Sequence, residues 1–310
     1  MGARGTARIL AAIAAVALLA APLSASAKPK KSKKPKSPPV TVVRATGVTS
    51  SDGANVTVTA SCPAKKIAVG GGFDSQPRFT GVTLEDLHIV YESRRSSPRS
   101  WTASAVREDS AGAGPDLPLT TSVRCRTARR GGKKSKKKLA ITEVPATATA
   151  PANAAQAAAT AVCPGKQKAL GGGFSSSPQP VLTGLNAFPI FWADQRTSPN
   201  SWQAAFTNSG PTPRTVTSYA YCAPGVKLAQ VTGTATLPAS GPGIATALAA
   251  SPKCRKGRAL LGGGFSNTPV GPGGSIALLT SSQPSSGAWQ VGAFNISSFA
   301  GSLGAQGICL

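Results

Sequence analysis

Histidine and acidic residues are scarce in this sequence, which restricts the chemistry that its side chains can perform. It has one histidine, His88, and ten aspartates and glutamates, compared with 34 lysines and arginines. A single histidine contributes little to a zinc site, and neither the G-x-S-x-G motif of a serine hydrolase nor a recurring pair of carboxylates is present. The sequence therefore predicts no metal, no cofactor and no enzyme activity.

Long apolar runs are also missing after the first 27 residues. Arg4 and Arg8 precede an apolar run over residues 9–23, and the small residues Ala-Ser-Ala follow at 25–27. This is the pattern of a secretory signal peptide, so residues 1–27 are expected to be removed. No later run approaches the roughly 20 apolar residues of a membrane span. We expect a mature chain that is secreted, without an integral membrane span, and either extracellular or associated with the cell envelope.

One unit occurs three times in the remaining chain. The motif Gly-Gly-Gly-Phe is preceded by a cysteine eight positions before its first glycine, and a tryptophan and a second cysteine follow it. Because all three copies share this order of residues and the same spacing from cysteine to glycine, they form an internal repeat. We predict a structural role for the residues that the copies share, which are Gly70, Gly71, Gly72, Phe73 and Trp101, then Gly171, Gly172, Gly173, Phe174 and Trp202, then Gly262, Gly263, Gly264, Phe265 and Trp289.

The six cysteines of an exported chain are expected to form disulfides. A repeat that folds as a unit must pair its own two cysteines, so we predict one bond in each copy. Each closes a loop of roughly 60 residues, which the chain-entropy model values at roughly 4 kcal/mol. The predicted bonds are Cys62–Cys125, Cys163–Cys222 and Cys254–Cys309.

Alternation of apolar and polar residues predicts strands throughout the repeats. In the segment NVTVTASC, Val56, Val58 and Ala60 share one face, and no convincing amphipathic helix occurs. We predict an all-β protein of three tandem, disulfide-closed sandwich-like or barrel-like domains at residues 40–126, 139–223 and 228–310, with basic segments at 28–39 and 127–138. The long basic segment favours a first domain tethered to a closer pair. The alternative is a single pseudo-three-fold prism or barrel.

The glycine runs are interpreted as structural. Phosphate-binding glycine loops carry a lysine and a hydroxyl residue after the glycines and open a helix, whereas phenylalanine follows here. Glycine within a strand marks a bulge or a close backbone approach, which we place beneath the repeated tryptophan. The phenylalanines and tryptophans are then core residues.

Two aromatic positions are candidates for contact with a ligand, for which a glycan is the expected class. Ten residues before each tryptophan lie Tyr91, Trp192 and Leu279, and we prefer Trp192 as an exposed contact. His88 lies near Asp86 and Glu85, but counting along the repeat aligns His88 with Pro189. The pair therefore suits a solvated cluster as well as an acid–base site.

Two basic segments are the strongest functional feature. Residues 28–36 carry six lysines and residues 126–138 carry eight basic residues. Such segments bind polyanions by counterion release with little sequence preference. The expected partners are anionic polymers of the cell envelope or the extracellular matrix, or extracellular nucleic acid bound without sequence specificity, and the alternative is a solvated spacer. The predicted anion-binding residues are Lys30, Lys31, Lys33, Lys34, Arg129, Arg130, Lys133, Lys134, Lys136, Lys137 and Lys138.

The repeat resembles a unit found in exported proteins of high-GC bacteria, in which Cys-Pro is followed by Gly-Gly-Gly-Phe, a tryptophan and a terminal cysteine strand. The third copy departs from it, with Arg255 where the others have Pro63 and Pro164. The resemblance covers most of residues 40–310 and implies export and repetition, with no activity.

We therefore expect a secreted, non-enzymatic protein held at the cell envelope or in the extracellular matrix by its basic segments, with the β repeats supplying any specific contact. One alternative is a secreted hydrolase that uses the acidic residues and His88 of the first repeat. Another is a structural surface component that associates with itself.

Overall fold

The prediction of an all-β fold is confirmed. The computed structural model describes residues 40–50, 53–80, 83–109, 114–128, 139–153, 155–180, 188–241, 244–267 and 276–310. These residues form 19 β-strands and no helix. The predicted signal peptide, the segment at 28–39 and nearly all of the segment at 127–138 lie outside the described residues.

The strands follow one another in the same order in each repeat. The first repeat contains β1 (Thr41–Thr49), β2 (Asn55–Ser61), β3 (Lys66–Ser75), β4 (Arg78–Thr80), β5 (Thr83–Ser97), β6 (Ser100–Asp109) and β7 (Leu117–Thr127). The second contains β8 (Thr142–Ala150), β9 (Ala155–Val162), β10 (Lys168–Ser177), β11 (Pro189–Ser198), β12 (Ser201–Asn208) and β13 (Arg214–Ala223). The third contains β14 (Ala229–Leu237), β15 (Ala245–Ala250), β16 (Leu260–Asn267), β17 (Ala277–Ser285), β18 (Ala288–Asn295) and β19 (Gly301–Cys309).

Each of the three sheets combines half of one repeat with half of another. The orders are β1-β7-β3-β17-β18-β15, β2-β6-β5-β10-β13-β8 and β14-β19-β16-β11-β12-β9, with β4 paired to β5 in the second sheet. The repeats join through antiparallel pairs of β3 with β17, β10 with β5 and β16 with β11. This strand exchange makes the three repeats related by a pseudo-three-fold axis.

The arrangement is therefore that of the alternative prediction, a pseudo-three-fold prism. The interpretation as a tethered first domain beside a closer pair is corrected, because no sheet belongs to one repeat alone. A six-strand repeat leaves unpaired backbone groups at the edges of its two half-sheets, and pairing with the neighbouring repeats satisfies them. The repeats are sequence units that share their sheets.

Strand formation follows from the alternation seen in the sequence. In β2 the side chains of Val56, Val58 and Ala60 are buried, while those between them are exposed. The exposed positions carry threonine and serine, whose hydroxyls pair across strands, as between Thr59 and Thr102 at 2.8 Å. One face of each sheet thus packs inward and the other faces water.

The core is layered along the pseudo-three-fold axis. The middle layer contains Phe73, Phe174 and Phe265, whose ring centroids lie 6.4 Å and 6.0 Å apart in edge-to-face contacts. A second layer contains Val69, Leu170 and Leu261, one from each repeat. The phenylalanines are core residues, as the repeat predicts.

The three disulfides join the cysteines within each repeat. They are Cys62–Cys125, Cys163–Cys222 and Cys254–Cys309. Each links the segment just before a glycine strand to the last strand of the same repeat. Because those two strands belong to one sheet and the preceding strand belongs to another, each bond also ties two sheets together.

The three glycines of each motif differ in their structural surroundings. The pairing register shifts just before the first glycine, so that Val69, Leu170 and Leu261 occupy bulges. The second glycine lies against the indole ring of its own repeat, and the third lies against a backbone carbonyl of the adjoining repeat. A side chain at the second or third position would collide with the ring or with the backbone of the neighbouring strand.

Candidate functional site

The three disulfides lie at one end of the prism. Strand register places Thr41 opposite Cys125, Thr142 opposite Cys222 and Ala229 opposite Cys309. Val69, Leu170 and Leu261, which follow the disulfide loops, pack into a single cluster. We call this end, with the disulfides and the loops at 62–66, 163–167 and 254–258, the cysteine end, and the opposite one the far end.

Exposed cationic side chains gather at the cysteine end. Those of the disulfide loops and of the neighbouring turns face water, whereas Lys66 and Lys168 are half-buried. The exposed ones are Lys65, Arg99, Lys166, Lys227, Lys253, Arg255, Lys256 and Arg258. Many like charges on one face raise the local positive potential and attract polyanions.

The far end has the opposite character. Its described cations are Arg78, Arg107 and Arg214, of which Arg107 and Arg214 are buried. Its described acids include Asp86, Glu85, Glu108 and the exposed Asp116, whereas at the cysteine end Glu143 is the one acidic residue that the described strands carry. Charge is therefore separated along the axis of the prism.

Both basic segments adjoin strands that begin or end at the cysteine end. The first precedes Val40 and β1, which starts opposite Cys125. The second connects Ala128 to Leu139, and the N–H of Leu139 donates to the carbonyl oxygen of Ala128 at 2.9 Å. The chain thus leaves and re-enters the fold at one point. The predicted anion-binding residues between Lys30 and Lys34 and between Arg129 and Lys138 lie outside the described residues.

Two buried arginines add positive charge beneath this face. Arg124 donates from Nε and Nη2 to the carbonyl oxygen of Leu260 at 3.0 and 2.6 Å, and burial lowers its pKa to about 10. Arg126 is 2% exposed, and its Nε and Nη1 have no hydrogen-bond partner among the described residues. Burial lowers the pKa of Arg126 as well. No carboxylate in the described part of the chain forms an ion pair with either guanidinium.

Two cavities are open to small groups. A groove of about 280 Å³ lies at the cysteine end of the third repeat, lined by Gln230, Arg255 and Arg258 among others. A cavity of about 20 Å³ lies on the axis towards the far end, lined by His88, Pro189, Ala277 and their neighbours. The second has room for about one water molecule.

Asp86, Glu85 and His88 of the first repeat belong to one network around two arginines. Arg107 donates from Nε and Nη2 to the two carboxylate oxygens of Asp86 at 2.9 and 3.0 Å, and from Nη1 to the carbonyl oxygen of Thr49 at 2.9 Å. Arg78 also pairs with Asp86 and Glu85. The carboxylate of Asp86 is thus held by two guanidinium groups. Because Asp86 is fully buried, this carboxylate is closed to solvent.

His88 lies in the same network and is 1% exposed. Its Nε2 is 2.9 Å from the hydroxyl of Thr49, and its Nδ1 has no partner among the described residues. Burial, with the charge of Arg107, lowers its pKa to about 4, which leaves the imidazole neutral at pH 7. A general base must reach the substrate, and this one is enclosed. The interpretation of His88 and Asp86 as a solvated cluster is therefore wrong, because both side chains are buried.

The candidate aromatic contacts occupy bulges in the strands at the repeat junctions. Register shifts place Tyr91 and Trp192 in equivalent bulges, and the third repeat has Thr280 there. Counting from the tryptophan selects Leu279 instead, because the final hairpin is one residue shorter. Tyr91 is 5% exposed and its hydroxyl bonds with Gln179, so it offers little surface for stacking. Trp192 is half-buried, and its Nε1 has no partner among the described residues.

The repeated tryptophans are buried, and each anchors its indole N–H on the strand beside it. Trp101 donates to the hydroxyl of Ser93 at 3.0 Å and Trp289 donates to that of Ser282 at 3.0 Å, whereas Trp202 donates to Oδ1 of Asp194 at 2.5 Å. Asp194 is a buried polar residue that was not predicted from the sequence. The sequence pattern that could have indicated it is the position eight residues before the tryptophan, where the second repeat has this aspartate and the first repeat has serine. Burial raises the pKa of Asp194 to about 7.

Comparisons with known proteins add no functional assignment. No protein-family model matches the chain, and no curated protein matches it. Within the described ranges, no group of three histidine, cysteine or acidic side chains is placed to hold a metal ion, and no helix has the length and apolarity of a membrane span. The three disulfides indicate an oxidising environment of extracellular type.

Proposed function

We propose that this is an exported, non-enzymatic protein that associates with anionic polymers of the cell envelope or the extracellular matrix. The exposed cations of the cysteine end and the basic residues of the two segments supply the positive charge for binding, and the prism is the scaffold of the three repeats. The β repeats supply any specific contact, for which a glycan is the ligand class that Trp192 suits.

The separation of charge along the prism carries this proposal. Exposed cations from each of the three repeats lie at the end where both basic segments adjoin the fold, and Arg44 is a further exposed cation midway along β1. A solvated spacer needs no such convergence. Lysines on two flanking segments and on a folded face act together, because binding by one group raises the effective concentration of polymer at the next. The partner is then a long polyanion, and binding is expected to weaken steeply as salt rises.

Co-sedimentation with isolated cell-envelope material over a salt series tests the proposal. The mature protein should sediment at low salt and be released as salt rises. A variant with residues 28–36 deleted and residues 129–138 replaced by a Gly-Ser segment of equal length should bind much more weakly. Retaining Ala128 and Leu139 keeps the hydrogen bond that closes the fold at this point.

A matched control keeps the charge and changes the order of residues in both segments. Because counterion release depends on charge density and little on sequence, this scrambled variant should bind as the wild type does. Equal binding by the uncharged variant, or binding that is insensitive to salt, would show that the basic segments are spacers.

A further inference from the structure

The disulfide loop of the third repeat differs from the other two. Arg255 stands where the first two repeats have Pro63 and Pro164, and Arg258 stands where they have Lys66 and Gln167. The third repeat has thus gained two guanidinium groups at the cysteine end. Both side chains are exposed, and neither has a hydrogen bond or an ion pair with the residues that the structure describes.

The two arginines line the groove of about 280 Å³ described above, together with Gln230, which is exposed on β14. This volume is close to the lower limit of about 300 Å³ for ligand clefts. It has room for a phosphate group together with part of the polymer that carries it. The groove lies against Cys309, whose disulfide fixes the loop that carries Arg255.

The equivalent places in the other repeats are closed to an anion. In the first repeat, Nζ of Lys66 donates to the hydroxyl of Thr41 at 3.0 Å, whereas the third repeat has Ala229 in place of that threonine. In the second repeat, the position of Gln230 is taken by Glu143, whose carboxylate repels anions. Only in the third repeat, among the described residues, do two unpaired guanidinium groups share a groove with an amide.

We propose that the groove formed by Gln230, Arg255 and Arg258 binds a phosphate group of a linear phosphate-bearing polymer. Two guanidinium groups and an amide can donate hydrogen bonds to three or four phosphate oxygens. A carboxylate has only two oxygens to accept them, so this set of donors favours phosphate. This inference specifies the ligand class at the surface of the proposed function and rests on that function.

A polymer fits this end better than a lipid surface. A protein that lies on a membrane places apolar and aromatic side chains beside its cations. The exposed Ile296 and Phe299 lie at the far end, next to Asn295, which pairs with the first residues of β15 and β17. Isolated exposed valines, such as Val162, are the large apolar residues that the described part of the cysteine end presents.

Calorimetric titration of the mature protein with tripolyphosphate, at constant and near-physiological ionic strength, tests the proposal. The double variant Arg255→Gln/Arg258→Gln should raise the Kd at least about tenfold, because it removes both charge-assisted pairs with the phosphate. The control Lys65→Gln/Lys166→Gln removes the same charge from the equivalent loops of the other repeats and should change the Kd less than about twofold. A single Arg258→Lys variant keeps the charge and should lose part of the affinity, because lysine lacks the fork.

Three results would contradict the proposal that this groove binds phosphate. They are no binding by the wild type, equal loss in the two double variants, and full affinity in the arginine variant with an unchanged Tm. Vesicles of anionic phospholipid are the second probe. If these bind through Arg255 and Arg258 while tripolyphosphate neither binds nor competes, the ligand is a lipid surface and the polymer proposal is wrong. Envelope binding through the basic segments is measured separately by co-sedimentation, so failure of the groove and failure of the proposed function are distinguishable.

Discussion

In the second repeat, alanine at the second glycine should destabilise the fold, whereas alanine at the first should not. A Cβ at Gly172 would lie well within 3.0 Å of three atoms of the Trp202 ring, whereas a Cβ at Gly171 would meet nothing closer than 3.8 Å. Both glycines lie on β10 and both are buried, and neither has a positive φ. Gly172→Ala and Gly171→Ala are therefore a matched pair that differs in steric conflict.

The indole ring cannot withdraw to make room for the new methyl group. Trp202 is fully buried, its Nε1 donates to Asp194 at 2.5 Å, and its carbonyl oxygen accepts a hydrogen bond from Ser218 at 3.0 Å. Overpacking a rigid core costs about 1–3 kcal/mol, and we expect the upper part of that range here. At about 2–4 °C per kcal/mol, the Tm of Gly172→Ala should fall by about 6–12 °C.

Differential scanning calorimetry of the three oxidised proteins measures this difference. Gly171→Ala should stay within about 2 °C of the wild type, since a Cβ in ordinary van der Waals contact adds little. If both variants lose the same stability, the cost comes from strand backbone and not from the tryptophan. If Gly172→Ala melts with the wild type, the glycine is not required by ring contact and the reasoning fails.

The remaining predictions concern the disulfides and the buried acid. Replacing both cysteines of the Cys163–Cys222 bond by alanine opens a loop with a separation of 59 residues and should lower the free energy of unfolding by about 4 kcal/mol in urea titrations. A loss below about 1 kcal/mol would contradict the chain-entropy account. Burial raises the pKa of Asp194 in the folded state from the ordinary 3.8 to about 7, so the folded state keeps a proton between about pH 4 and 7 that the unfolded chain releases. Its contribution to stability therefore falls as pH rises through that window, and Asp194→Asn should gain stability relative to the wild type from pH 4 to 7 and keep the gain above pH 7. A difference in urea midpoint that is constant from pH 4 to 8 would rule out this titration.

The residues that alternate along each strand were predictable from the sequence. Val56, Val58 and Ala60 face the core because side chains of a strand point alternately to its two faces, and this rule acts between near neighbours. The contact of each tryptophan with a glycine was also predictable, because all three copies keep both residues in the same order along the repeat.

The functional surface was only partly predictable. The sequence reveals the number of cations and the two basic segments, but Lys65 and Lys166 are 101 residues apart and Lys166 and Arg255 are 89 residues apart. They share one end because three cysteine strands run in the same sense around an axis. The role of Asp194 was not predictable for a similar reason. The pKa of an isolated acid is raised only when tertiary packing excludes water from its carboxyl group.

By itself, the sequence determined the strands, the three copies and the pairing of cysteines within each copy, because these depend on local alternation and on repetition along the chain. Only the tertiary structure decided that β3, β10 and β16 pair with strands of other repeats. Alternation specifies which face of a strand is buried but leaves open which strand lies at its edge, since edge pairing is made by backbone N–H and C=O groups that every residue except proline carries.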